Sequence, residues 1–227
     1  MGDMAPSNNA AGTGDASADW ADGAEAQLLD QALALAPAMG WTWRMAYAAG
    51  AAIGFSRGEV ELLAPEGPRD LAALWSRRCD AAALATLASV EPGSLKVRER
   101  IRRGVNARLE AAMAQPAATR RWTGFLALPQ NLPLGLRLAW ESADELWVWA
   151  GDRATDENHY TKRAILAEVL TGVLLVRLSA GEAAAAERLE RRIAQVMAFE
   201  RWKARLRVGD VGRAAAGALG RARYALG

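Results

Sequence analysis

The chain has 227 residues, of which 52% are hydrophobic and 24% charged, with a formal net charge of +2. That is globular composition, enough to bury a sizeable core. One cysteine, Cys79, and one histidine, His159, exclude an internal disulfide framework and a Cys/His zinc site, and Cys79 reads as a small core hydrophobe in a reducing compartment.

Charge is unevenly spread. Residues 1–43 hold Asp3, Asp15, Asp19, Asp22, Glu25 and Asp30 and no Lys or Arg, whereas residues 201–227 hold seven basic residues and only Asp210 as an acid. An acidic start without an apolar h-region fits neither a mitochondrial presequence nor a signal peptide. No stretch reaches the roughly 20 apolar residues that span a bilayer. Membrane contact is therefore expected to be peripheral.

Residues 1–23 are rich in Gly, Ala, Ser, Asn and Asp and are expected to form a disordered acidic tail. A helix is predicted from Ala24, carried by Leu28, Leu29, Ala32, Leu33 and Ala36, with Pro37 and Gly40 ending it. A second helix is predicted over 42–53, then a Gly54-Phe55 break, with Ser56 as N-cap of a third helix to Leu63. These three make a helix-turn-helix-like subdomain over 24–68, and the text from Ala48 to Gly58 resembles the start of TetR-type regulators. The third helix reads Arg57-Gly58-Glu59-Val60-Glu61-Leu62-Leu63. Two carboxylates there oppose phosphate binding, which supplies most of the affinity for nucleic acid. The helix-turn-helix is thus expected to be degenerate, with no nucleic-acid partner. A TetR-family DNA-binding regulator stands as the alternative.

Further helices are predicted over 70–89, over 95–114 with Ser94 as cap, and over 119–128. After a loop at 129–133, others follow over 134–150, 155–178 and 182–206. The helix from Leu95 is basic at its start, with Lys96, Arg98, Arg100, Arg102 and Arg103 around Glu99. Residues 69–207 are expected to form one helical domain, for which the family resemblance given below implies lipid binding and dimerisation. Residues 208–227 form a basic amphipathic tail with two open readings, a helix on anionic membrane or a solvated tail. No window alternates as a strand does, so the fold class is all-α, with nine to ten helices. No nucleophile elbow, phosphate loop or Glu-x-x-His di-iron motif occurs, and no enzymatic activity, metal or cofactor is expected.

The most informative text is Gly151-Asp152-x-x-Thr155-Asp156-x-Asn158-x-Tyr160-Thr161-Lys162-Arg163-Ala164, preceded by Trp140, the Ala143-Asp144 pair and Trp147, and before them Leu128-Pro129 and Leu132-Pro133. Trp140 and Trp147 are seven residues apart and share a helix face. This run resembles the signature of the Coq-nine family, the TetR-like accessory proteins of ubiquinone biosynthesis. The resemblance implies a homodimeric, non-catalytic, TetR-like protein whose apolar tunnel holds an isoprenoid or phospholipid. It would present a quinone precursor to a quinone-ring hydroxylase. A bacterial member would work in the cytoplasm, peripherally attached to the inner membrane. Trp122, Phe125, Leu138, Trp140, Leu146, Trp147 and Arg163 are expected to contact lipid. Asp152, Asp156, Asn158, His159, Tyr160 and Lys162 are expected to form the partner-docking patch. Glu157 and His159 stand where the family usually has Phe and Trp, so the partner-facing surface is altered. Lys162 and Arg163 fall in the first turns of a helix, where cations are disfavoured. They require an acidic partner, Asp152 or Asp156, or a bound phosphate. For Arg163, a head-group clamp and an ion pair both remain open.

Overall fold

The computed structural model describes residues 13–152 and 157–198, with side chains described from Trp20 and, in the second stretch, from His159. Every regular element among them is helical: α1 (Thr13–Met39), α2 (Trp43–Ala52), α3 (Arg57–Leu63), α4 (Pro68–Leu87), a 3-10 turn at Pro92–Ser94, α5 (Val97–Met113), α6 (Pro116–Leu126), α7 (Leu132–Trp149), α8 (Glu157–Ala180) and α9 over 182–198. The all-α expectation holds. No described helix is long and apolar enough to cross a membrane.

Several boundaries move, for physical reasons. Helix α1 begins at Thr13, well ahead of the expected Ala24, so residues 13–23 are helix where a tail was expected. Acids near a helix start favour it through the macrodipole, a signal that apolar periodicity does not carry. Prolines expected in loops open helices instead: Pro68 and Pro116 are the first residues of α4 and α6, and Pro133 lies in the first turn of α7. Proline fits there because the first N–H groups of a helix have no partner anyway. Ser94 does not cap α5. It lies in the 3-10 turn, its hydroxyl donating to the Glu91 carbonyl at 2.8 Å, and Lys96 precedes the helix. The tail 208–227 lies outside the described residues.

Local chemistry at the first three helices follows the sequence. The Thr42 hydroxyl accepts from the Met45 N–H at 3.2 Å. Ser56 and Glu59 form a reciprocal capping box on α3. The Tyr47 hydroxyl donates to Glu61 at 2.7 Å, and Arg57 lies 5.0 Å from the Tyr47 ring centroid. Helices α2 and α3 meet so closely that a Cβ on Gly50 would lie 2.2 Å from Val60 Cγ2.

Packing divides the chain into two compact units, Met1–Thr171 and Gly172–Gly227. In the first, α1 presents Leu28, Leu29, Ala32, Leu33 and Ala36 to the core and packs on α2 and α6. Helix α4 packs on α5 and α7. Between α4 and α5, Arg108 is buried with Asp80 and also donates to the Ser76 hydroxyl at 3.2 Å. Two carbonyls on neighbouring elements are met by indoles: Trp41 Nε1 donates to Ala118 O at 3.4 Å and Trp122 Nε1 to Ala72 O at 2.9 Å. Cys79 is core, as expected, and burial pushes its thiol up to about 11. In the second unit, Val173 and Leu174 of α8 and Ala185 and Leu189 of α9 are buried, and Arg177 pairs with Glu182 at 2.8 Å.

Candidate functional site: the junction of helices α7 and α8

Helix α7 ends because Gly151 takes a φ of +82°, a left-handed conformation that costs a residue with a Cβ. The Gly151 N–H donates to Val148 O at 3.0 Å, and the Asp152 N–H reaches back to Trp147 O at 2.9 Å. The Trp147 and Val148 carbonyls near the end of α7 are therefore satisfied and Asp152 is held in place. Arg100 secures the same corner from α5. Its Nη1 donates to Ala150 O at 2.6 Å and its Nε to Leu95 O at 2.9 Å.

Asp152 is the hub. Its Oδ1 accepts from Lys162 Nζ at 2.7 Å and its Oδ2 from Arg163 Nη1 at 3.3 Å. Arg163 also donates through Nε to Asp144 of α7, and through Nη1 to the His159 carbonyl at 3.3 Å. The Trp147 indole N–H donates to Lys162 O at 3.1 Å, and Lys162 Nζ lies 5.4 Å from the Trp147 ring centroid. Burial alone would raise the Asp152 pKa, but Lys162 and then Arg163 more than offset it and hold the carboxyl below its ordinary value. The arrangement is a clasp: two consecutive cations of α8, paired with carboxylates of α7 and of the turn after it.

Beside the clasp is an aromatic group. The Tyr160 ring lies 6.1 Å from Trp140 and 5.2 Å from His159, and Tyr160 is 65% exposed. Of the expected docking patch, Asp152 and Lys162 belong to the clasp, and His159 and Tyr160 to this group. Asp156 and the side chain of Asn158 lie outside the described residues, as do Thr155 and the side chain of Glu157.

The residues expected to contact lipid are distributed differently. Trp122, Leu138 and Leu146 are buried in the first unit, Leu146 lying against Gly104 of α5, while Phe125, Trp140 and Trp147 are half-buried. Arg163 is placed otherwise, in the clasp. It is 2% exposed, and its guanidinium is engaged by two carboxylates and a carbonyl, so the ion-pair alternative is the one realised. Two contributors are not evident from the sequence. Its pattern shows Arg100 only as one of several cations at a basic helix start, and Asp144, four residues after Trp140 and three before Trp147, only as an acid on the tryptophan face of α7. The need of Lys162 and Arg163 for acids names Asp152 or Asp156 and not Asp144. Nothing in the sequence points to Arg100. Among the described residues, no group of His, Cys, Asp and Glu could hold a metal ion.

The fold and this junction define an all-α protein with a TetR-like order of helices and a charge-clasped hairpin ahead of its C-terminal helices. The COQ9 family model matches residues 132–200, from the start of α7 through the clasp into α9. "Ubiquinone biosynthesis protein COQ9, mitochondrial" of Rattus norvegicus is 29% identical over 159 residues, 67% of this chain and 51% of the relative. The Homo sapiens protein of the same name is 28% identical over 159 residues, 67% of this chain and 50% of the relative. That of Xenopus tropicalis is 36% identical over 78 residues, 34% of this chain and 25% of the relative. Over these residues the chain is similar to the COQ9 family, and its match spans about half the length of the first two relatives.

Proposed function

We propose that this chain is a non-catalytic, lipid-binding accessory protein of ubiquinone biosynthesis, which presents an isoprenoid quinone precursor or a phospholipid to a membrane-associated quinone-ring hydroxylase. The observation that carries this reading is the clasp of Asp152, Lys162 and Arg163, lying inside the residues that match the COQ9 family. The names of the relatives supply the pathway. The clasp would hold Tyr160 and His159 outward as a docking surface, while Trp122, Leu138 and Leu146 would contribute to the wall of an apolar tunnel. A lipid chain entering such a tunnel gains about 0.8 kcal/mol per buried methylene. Exposed Leu175 of α8 and Met197 of α9 favour a homodimer joined through α8 from Ile165 and through α9. Arg163 has no head-group role in this scheme, because its donors hold the hairpin.

Native purification followed by lipid mass spectrometry tests the cargo. A co-purifying isoprenoid or phospholipid is expected, and its absence would count against the reading. Deleting the gene tests the pathway: an under-hydroxylated quinone intermediate should accumulate, whereas normal quinone with altered transcription would favour a regulator.

A further inference from the structure

We infer that the turn between α6 and α7 is a membrane-docking edge, a row of leucines that enters an anionic bilayer surface. This deepens the lipid-handling reading above and rests on it. The row is set by the backbone. The Leu132 N–H donates to Leu128 O at 2.9 Å, an α-type turn, and Leu136 follows one turn further along α7. Leu128, Leu132 and Leu136 are 43%, 48% and 65% exposed. Asn131 is buried between them in sequence, and its Nδ2 donates to Phe125 O at 3.1 Å, which stiffens the turn that carries the row. A single exposed leucine is ordinary on a protein surface, but three in helical register at one turn form a patch.

Charge selects the occupant. From Ala111 to Trp140 the sequence contains Arg120, Arg121 and Arg137 and no Asp or Glu. All three arginines are exposed. The bounding acids are Glu110 and Glu141, and Glu141 is drawn to Arg137 at 3.6 Å with both side chains solvated. An apolar row in a cationic, carboxylate-free segment matches an anionic lipid surface on both counts. Leucines gain by leaving water and arginines by entering a negative potential. This edge lies at the opposite end of α7 from the clasp, so it would give the chain a membrane contact at the start of the same helix that ends in the clasp.

The test uses the full chain with Leu136→Cys labelled by an environment-sensitive fluorophore. Native Cys79 is buried and stays unlabelled. On phosphatidylcholine vesicles containing phosphatidylglycerol, the label should blue-shift and brighten several-fold. On pure phosphatidylcholine it should respond far less. The same label at Leu62→Cys, 72% exposed on α3, should not respond. In unlabelled protein, the pair Leu132→Asp and Leu136→Asp should weaken anionic-vesicle binding roughly tenfold, and Arg137→Gln about fivefold, with melting temperature and oligomeric mass unchanged. A silent label at 136, equal responses at 136 and 62, or a response that follows protein concentration instead of lipid would each overturn the edge, the last in favour of a protein contact. Lipid mass spectrometry on the wild type and the double variant separates the two readings. Retained cargo with lost vesicle binding supports the edge. An intact vesicle response with no cargo leaves the edge standing and counts against the tunnel alone.

Discussion

Arg100 donates from Nη1 to the Ala150 carbonyl at 2.6 Å across 50 residues of sequence. That bond fixes the end of α7 one residue before the chain turns at Gly151, and so places Asp152 where α8 can reach it. A second donor of the same guanidinium meets Leu95 O, so the geometry needs a fork and not a point charge. Arg100→Ala is expected to cost about 2 kcal/mol through two carbonyls left without partners. Arg100→Lys should recover less than half of that. Chemical unfolding of the three proteins checks this; equal stability of Arg100→Ala and wild type would remove Arg100 from the junction.

The Arg163 side chain is 3% exposed and that of Asp152 is 9% exposed, whereas that of Asp144 is 43% exposed. Removing the guanidinium with Arg163→Ala leaves Asp152 facing Lys162 alone. The expected loss is about 3 kcal/mol, at the lower end for a broken buried pair because Asp144 remains hydrated. Asp152→Asn should lose less, since no unpaired buried anion results. The two changes together should cost clearly less than the sum of the separate losses. A double-mutant cycle by denaturant unfolding measures the coupling, and strict additivity would mean that the pair does not act as a unit.

The features legible in the sequence are those whose causes lie within a few residues of one another. Ser56 and Glu59 stand at capping-box spacing, so the start of α3 can be read directly. Gly151 marks the end of α7, and its positive φ is the reason. The demand of Lys162 and Arg163 for an acid or a phosphate leaves Asp152 and Asp156 both open, and Asp152 accepts from both cations. What cannot be read depends on packing between distant segments. Arg100 meets Ala150 only because α5 and α7 are neighbours. Asp144 turns to Arg163 only because α8 crosses α7 at that height. The leucine row at 128, 132 and 136 has the spacing of a buried face, and burial alone tells the two apart: these leucines are exposed, while Leu134 and Leu138 on the same helix are buried.

The lowered pKa of Asp152 sets a pH dependence with a definite sign. Its folded value lies below the ordinary one of about 4. The unfolded chain therefore binds that proton more readily, and the stabilisation is present above the unfolded value and lost as pH falls through the folded value. Melting temperature should be insensitive to this group between about pH 5 and pH 8 and should decline below about pH 4. Asp152→Asn should melt lower at neutral pH and show a shallower decline in acid. Parallel acid profiles for the two proteins would show that another carboxylate sets the slope.

Gly50 marks a close approach of α2 and α3. A Cβ there would lie 2.2 Å from Val60 Cγ2, and Val60 is fully buried. Gly50→Ala improves helix propensity by about 1 kcal/mol, yet it is expected to destabilise by about 1–3 kcal/mol because α3 must move away from α2. Val60→Ala alone should cost about 2 kcal/mol through lost packing. Combined with Gly50→Ala, it should recover part of that loss, because the new methyl occupies the space that the valine leaves. Thermal melts of the two single variants and the pair check this. A stabilised Gly50→Ala single variant would show that α2 and α3 yield to the added methyl, and that the glycine is not required by close approach.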